Sequence, residues 1–352
     1  MSAQKNILVA PVFWGLGHAT RCIPIIRQLL NFNFNVILAS DDAALHLLQK
    51  EFPNLEAIEL PGYHIRYPKK GYFFKLKLIS QLSTILKSVR QEHKKLKEFL
   101  EEKNIHGIIS DGRLGLYSDK FPSVYVTHQL QLYTGKTTFI SSWYHRKLME
   151  KFDAIWIPDS INPVAGLSGK LGHPKKLPEN AKYIGPLSRF HKRDLPKTID
   201  YLVILSGPEP QRSMLEKVMI KELQDSAKKI VLVQGKIEAE QTRRKIGNIE
   251  IVNYMSSEEL EQNLNQCEYV ISRSGYSTIM DLARLEKKAF FIPTPGQYEQ
   301  LYLSKRLKHL GLVYSCQQHE FKAEKLKNLT VYKGLSAPIE AVDFENLFQI
   351  FN

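Results

Sequence analysis

Apolar residues along this chain fall in short runs, each followed by a polar loop and then by a stretch with helical spacing. Asn6–Ala10, Asn35–Ser40 and Glu56–Leu60 read as strands. Ala19–Asn31 and Ala43–Glu51 read as the helices between them, the second capped by Asp41 or Asp42. This β-α-β-α-β opening predicts a doubly wound sheet. A long helix follows over Ser80–Lys103, then a strand at Ile105–Ser110 that delivers Asp111-Gly112-Arg113 at its end. Ser123–Thr127 delivers His128 and Gln129, Trp143–Lys151 is helical, and Ala154–Ile157 is a strand. Gly166–Asn180 reads as surface loop.

The same grammar restarts past a short basic stretch containing Pro196. Strands are expected at Tyr201–Leu205, Lys229–Val233, Glu250–Val252, Tyr269–Ser272, Phe290–Ile292 and Leu312–Tyr314. Helices are expected at Ser213–Ser226, Glu324–Leu329 and Pro338–Phe351. The fold class is therefore α/β, with two Rossmann-like doubly wound domains facing across a cleft between the C-terminal edges of their strands. The expected divisions are 1–187, a linker over 188–199, a second domain over 200–337, and a C-terminal helix over 338–352.

A length of 352 residues suits two domains, and 43% hydrophobic residues is a globular composition. Three cysteines without metal-type spacing read as reduced thiols, and the start of the chain lacks a signal-peptide layout, so a cytoplasmic protein is expected. No apolar stretch is long enough to span a membrane. The net charge of +13 is concentrated: residues 69–97 carry nine Lys/Arg and a single acid, Glu92. Within 63–78, Tyr67, Phe73 and Phe74 alternate with Lys69, Lys70 and Lys75. Rings mixed with long cations suit a surface resting on anionic lipid headgroups, which predicts peripheral attachment to the inner face of the membrane. They equally suit a hairpin or helix start whose rings pack beneath a solvated basic face.

Two stretches carry candidate chemistry. Residues 267–300 read as strand, polar turn, helix, strand and polar loop. Arg273-Ser274-Gly275 forms the first turn, Ser277 or Thr278 caps the helix, and Glu299 and Gln300 precede the next one. Neighbouring strands that feed helix N-termini hold an anionic, hydroxyl-rich ligand well. Arg273 serves either as a diphosphate ligand or as a pin for the fold. In the first half, Gly15 and Gly17 lead to His18 after the first strand, where an imidazole suits a general base. Asp111 either orients that imidazolium or makes a plain Asp-Gly turn. Arg113 and His128 either contact an acceptor phosphate or are surface polar groups. The G-x-G-x-x-G spacing of a Rossmann dehydrogenase is absent from this loop.

Residues 267–300 resemble the C-terminal domain of the MurG-type, family 28-like glycosyltransferases, which have the GT-B fold. The match runs through Arg273-Ser274-Gly275, Ser277-Thr278 and Asp281. The resemblance implies an inverting transfer, without metal or cofactor, of a sugar from a nucleotide diphosphate sugar to an acceptor hydroxyl. A UDP-sugar is the first candidate donor, and a glycan or lipid-linked molecule the acceptor. It places Asp281 on the donor ribose, where the family has a glutamate, and Glu299 and Gln300 on the sugar hydroxyls, where the family has paired glutamines. It puts Gly207 and Arg212 on the diphosphate, with Pro208 replacing a loop serine, and sets Arg189 at the hinge. Backbone groups at Met255 would read the nucleobase. Gly17-His18 keeps the end of the family's first glycine-rich loop, and His128-Gln129 stands at its acceptor-side His-Glu pair. The final helix would cross back to the first domain. Two rivals remain: a sugar-nucleotide 2-epimerase of the same fold, and a noncatalytic nucleic-acid- or membrane-binding protein with a degenerate donor site. Nucleic acid is the less expected partner, and the oligomeric state is left open.

Overall fold

A computed structural model describes residues 4–62, 82–132, 138–207, 209–336 and 340–352. The membrane-facing candidates Tyr67, Lys69, Lys70, Phe73, Phe74 and Lys75 lie outside these residues. The chain adopts an α/β architecture with two doubly wound sheets. It divides into two compact units, one holding the described residues through 187 together with 340–352, the other residues 188–336.

The first unit is built on seven parallel strands: β1 (Asn6–Pro11), β2 (Asn35–Ser40), β3 (Ala57–Glu59), β4 (Ile105–Asp111), β5 (Ser123–Val126), β6 (Ala154–Ile157) and β7 (Ala181–Tyr183). Their order is β3-β2-β1-β4-β5-β6-β7. Helices α1 (Gly17–Asn31), α2 (Asp42–Glu51), α3 (Leu82–Glu102) and α4 (Thr138–Met149) lie between them in sequence. Ile7, Leu8, Val9 and Ala10 are all buried, the continuous apolar pattern of a central parallel strand covered on both faces. Leu96 of α3 joins Leu8, Ile37 and Ile108 in one apolar cluster. The β1–β4 register pairs Pro11 with Asp111, so the loop after β1 leaves the sheet beside that carboxylate.

The second unit repeats the plan with β8 (Ile199–Ile204), β9 (Ile230–Val233), β10 (Arg243–Ile246), β11 (Ile249–Val252), β12 (Cys267–Ser272), β13 (Lys288–Phe291) and β14 (Tyr314–Ser315). The order is β10-β11-β9-β8-β12-β13-β14, and β10 alone runs antiparallel to its neighbour. Its helices are α5 (Gln211–Leu223), α6 (Ser257–Gln266), α7 (Tyr276–Arg284) and α8 (Tyr298–His309). Val203, Leu232, Ile251, Ile271 and Phe290 form the centre of its core.

After the second unit the chain returns to the first. Helix α9 (Phe344–Phe348) and a final 3-10 turn bring Phe348 and Phe351 against Phe34 and Trp156. Gly107 makes room: a β-carbon there would stand 2.4 Å from the Phe351 ring.

Several local expectations are corrected. β7 and β10 escape the apolar pattern because both are edge strands with exposed positions, Arg-Arg-Lys in β10. Asp41 occupies the N-cap position of α2, but its side chain makes no capping bond and turns inward to Arg113. Gly275 is the N-cap of α7, so Ser277 and Thr278 lie within its first turn. Ala323–Thr330 is 3-10 rather than α-helical. The basic segment 188–198 is bound along the second unit: the backbone N–H groups of His191 and Arg193 donate to Glu261 at 2.8 Å and Asn265 at 2.9 Å.

Candidate active site

The first unit gathers its polar groups where β1, β4 and β5 end. Gly15 turns the chain with φ +97°, and α1 starts at Gly17, which places His18 in its first turn. His18, Arg21 and Cys22 are three and four residues apart, so they share one helix face. That face meets Asp111, which is fully buried. His18 Nδ1 lies 2.6 Å from Asp111 Oδ1. Arg21 forks onto both oxygens of the same carboxylate, and Cys22 Sγ–H donates to it across 3.7 Å. Burial alone would raise the Asp111 pKa. The guanidinium of Arg21 and, after it, His18 outweigh burial and hold it at about 2. Burial and the Asp111 charge push the Cys22 thiol well up.

Room for the imidazole depends on Gly112. Its φ is +79°, and a β-carbon there would come within 2.7 Å of Val12 and 3.2 Å of the His18 ring. Beyond Arg21, its Nη1 donates to His128 Nδ1 at 2.8 Å, which draws the residue after β5 into the same network. Gln129 lies beside His128, with its side-chain amide 3.4 Å from Nε2 and its backbone N–H donating to Thr127 Oγ1 at 3.0 Å. Asp111 thus meets His18, Arg21 and Cys22 through its side chain as well as leading into the turn at Gly112. Arg21 and Cys22 escape the sequence reading, although their spacing from His18 is the signal that finds them.

Arg113 is corrected. It is fully buried, ion-paired with Asp41 and Glu92, and donates to the carbonyls of Pro11 at 3.0 Å and Pro61 at 3.1 Å. Its guanidinium ties together the ends of β1, β2 and β4 with α3. It is committed to protein acceptors, not to an acceptor phosphate.

In the second unit the loops after β8, β12 and β13 emerge side by side, and each runs into a helix N-terminus. Gly207 has φ +95° and approaches Thr294, where a β-carbon would lie 4.0 Å from the threonine hydroxyl. Ser274 Oγ donates to the Gln300 carbonyl at 2.8 Å, and the Gln300 side-chain oxygen accepts from Thr294 N at 2.7 Å. Gln300 therefore stitches two of the loops together. Its amide nitrogen is directed toward Gly275, 4.0 Å from where a β-carbon would stand. Glu299 lies one residue earlier, in the first turn of α8. Ser277 and Thr278 line the first turn of α7, and Met255 is buried between β11 and α6.

Arg273 is also corrected. Its Nη1 donates to the carbonyls of Ile292 at 3.0 Å and Pro293 at 3.2 Å. Its Nη2 donates to the Gln211 carbonyl at 2.8 Å and to Gln318 at 2.7 Å. It is 1% exposed and pins the loops from below; burial pulls its pKa down to about 9. Arg212 pairs with Glu209 and donates to the Gln234 carbonyl at 3.1 Å. Arg189 donates to Ser257 at 2.8 Å and lies 4.7 Å over the Phe190 ring. Asp281 accepts from Ser188 Oγ at 2.7 Å; burial of its carboxyl raises the pKa to about 6, against the lowering by Arg189.

Residues 202–337 match the glycosyltransferase family 28 C-terminal domain. A curated relative from Methanosarcina acetivorans, an uncharacterized glycosyltransferase, is 25% identical over 308 residues, covering 81% of this chain and 79% of its own. A UDP-N-acetylglucosamine–N-acetylmuramyl-(pentapeptide) pyrophosphoryl-undecaprenol N-acetylglucosamine transferase from Sulfurihydrogenibium is 24% identical over 318 residues, covering 88% and 85%. Among solved structures, the kitacinnamycin glycosyltransferase superposes with a TM-score of 0.60 at 14% identity, over 94% of this chain and 90% of the other. The protein is thus a glycosyltransferase of the MurG-like, GT-B type. Among the described residues no helix is long and apolar enough to cross a membrane.

Proposed function

We propose that this glycosyltransferase transfers a sugar with inversion from a nucleoside diphosphate sugar, a UDP-sugar first, to a hydroxyl of a glycan or lipid-linked acceptor. The observation that carries the reading is the His18–Asp111 pair at 2.6 Å in a chain whose residues 202–337 match the glycosyltransferase family 28 C-terminal domain. Asp111 is held ionised and accepts the Nδ1 proton, so the His18 lone pair lies on Nε2. That nitrogen takes the proton of the acceptor hydroxyl as its oxygen bonds to the anomeric carbon, and the nucleoside diphosphate leaves with the electron pair.

The donor is assigned to the second unit. The N-termini of α5, α7 and α8 supply backbone N–H groups and positive helix ends for the diphosphate, and no metal is given a role. Asp281 takes the ribose hydroxyls, and Glu299 and the Gln300 amide take those of the sugar. The relative named for transfer from UDP-N-acetylglucosamine supports the choice of UDP. Glu299 stands where that group has a glutamine, which points to a sugar other than N-acetylglucosamine. A cytoplasmic enzyme acting peripherally at a membrane agrees with a lipid-linked acceptor.

Calorimetric titration with a panel of nucleoside diphosphate sugars tests the donor half. One sugar nucleotide that binds wild type and loses roughly tenfold or more in affinity with Asp281→Ala is the expected result. No binding across the panel by folded protein would sink it. With the bound donor in hand, acceptor-dependent release of nucleoside diphosphate should fall by about 10²–10⁴-fold in His18→Ala.

A further inference from the structure

Two histidines and one arginine at the first unit's strand ends carry more information than the base assignment uses. Arginine only donates hydrogen bonds. Its Nη1 stands 2.8 Å from His128 Nδ1, so that nitrogen bears a lone pair and the neutral His128 ring carries its proton on Nε2. His18 meets the opposite constraint, because a carboxylate only accepts: Asp111 at 2.6 Å requires the proton on Nδ1. Arg21 Nη2 also lies 3.0 Å from His18 Nδ1. It cannot donate there while Nδ1 is protonated; it reaches past the ring to Asp111 instead. His128 Nε2 stands 3.4 Å from the Gln129 amide nitrogen, which cannot accept from Nε2–H; turning the amide over brings its oxygen to the ring as the acceptor.

We infer that Arg21 is a positioning residue that, together with Asp111, fixes His18 and His128 in opposite tautomers. His18 is left as the base through Nε2, and His128 as a hydrogen-bond donor through Nε2–H. One imidazole then accepts a proton while its neighbour offers one to a polar or anionic group, and neither ring can exchange roles. Arginine suits this place better than lysine. Its planar fork spans both Asp111 oxygens and still directs a third N–H at His128, whereas an ammonium supplies a point charge. Because Arg21 is 3% exposed, its direction is set by packing and not by solvent.

The tautomer assignment is independent of the glycosyltransferase reading; its catalytic consequence rests on it. The test is nitrogen-15 NMR of the imidazoles in the full chain at pH 7.5. His18→Gln and His128→Gln assign the two rings among the eleven histidines. Wild type should show His18 protonated at Nδ1 and His128 protonated at Nε2. In Arg21→Met and the milder Arg21→Lys, His128 should become a mixture of tautomers while circular dichroism keeps its folded signature. His128 protonated on Nδ1 in wild type, or an unchanged His128 pattern in a folded Arg21→Met, would overturn the inference. Should Arg21→Met not fold, Arg21→Lys and the wild-type spectrum still decide it. In turnover, Arg21→Lys should lower kcat by roughly tenfold to a hundredfold and leave the donor KM within about threefold. A kcat unchanged in a working transferase overturns the catalytic consequence. Absence of transfer in wild type, with the tautomers as assigned, counts against the proposed function and not against Arg21.

Discussion

Two buried arginines occupy the same place in the two sheets, and their surroundings are opposite. Arg113 follows β4, the strand beside β1; Arg273 follows β12, the strand beside β8. Both are about 1% exposed or less, and both reach across to neighbouring strand ends. Arg113 meets two carboxylates, Asp41 and Glu92, besides its carbonyls. Arg273 meets three backbone carbonyls and the Gln318 amide, with no carboxylate among the described residues. The Arg113 charge is therefore met by opposite charge. The Arg273 charge is met by neutral oxygens alone among the described residues, beside three helix N-termini. The same structural device, a guanidinium tying loops from below, has been given two electrostatic characters by its partners.

The largest break in this comparison should come from Arg113→Met. Removing it takes the guanidinium away from two buried carboxylates, and about 3–5 kcal/mol of first-unit stability should be lost. Urea unfolding followed by a probe in that unit measures it. Adding Glu92→Gln to the same chain should return part of the loss. Arg273→Met strands only neutral oxygens, so its expected cost is smaller, about 1–3 kcal/mol in the second unit. It should also weaken diphosphate binding, and the weakening should shrink as salt is raised. If Arg113→Met proved no more costly than Arg273→Met, the contrast drawn from their partners would be wrong.

How much of this was visible in the sequence follows from the same physics. The alternation of apolar runs and helical spacing located the buried strands, because a parallel strand covered on both faces has an unmistakable composition. It passed over β7 and β10, whose exposed edges demand no apolar run. His18 and Asp111 were legible because both follow strands that point to one edge. Arg21 and Cys22 were not, because a helix face acquires meaning only once its partner is known. Arg113 and Arg273 were read as ligand groups for the same reason. A cation after a strand looks alike in sequence whether it faces solvent or folds back beneath the loops. The basic aromatic stretch over 63–78 adds nothing to this comparison, since it lies outside the described residues.

The smallest effect sharpens the comparison from the acid side. Asp281 is the mirror case of Arg273: a carboxylate with bonds from the Ser188 hydroxyl and the Arg189 backbone N–H and with the Arg189 charge nearby, which together do not outweigh burial, so its pKa stands at about 6 instead of 3.8. Above pH 6 both folded and unfolded chains are ionised there, and the folded state bears the full cost of the enclosed charge. As pH falls through 6 the folded state takes up the proton first, the cost fades, and it is gone below the ordinary carboxylate range. Asp281→Asn carries no such charge. It should therefore stabilise the second unit by about 1–2 kcal/mol at pH 8, with the gain vanishing near pH 4. Thermal unfolding of both proteins across that range measures the difference. A gain that persists at pH 4 would mean that packing, not charge, separates the two. If the gain is charge-borne and the same variant also loses sugar-nucleotide affinity, then the strained carboxylate is kept for the ligand, because a neutral amide would serve the fold better.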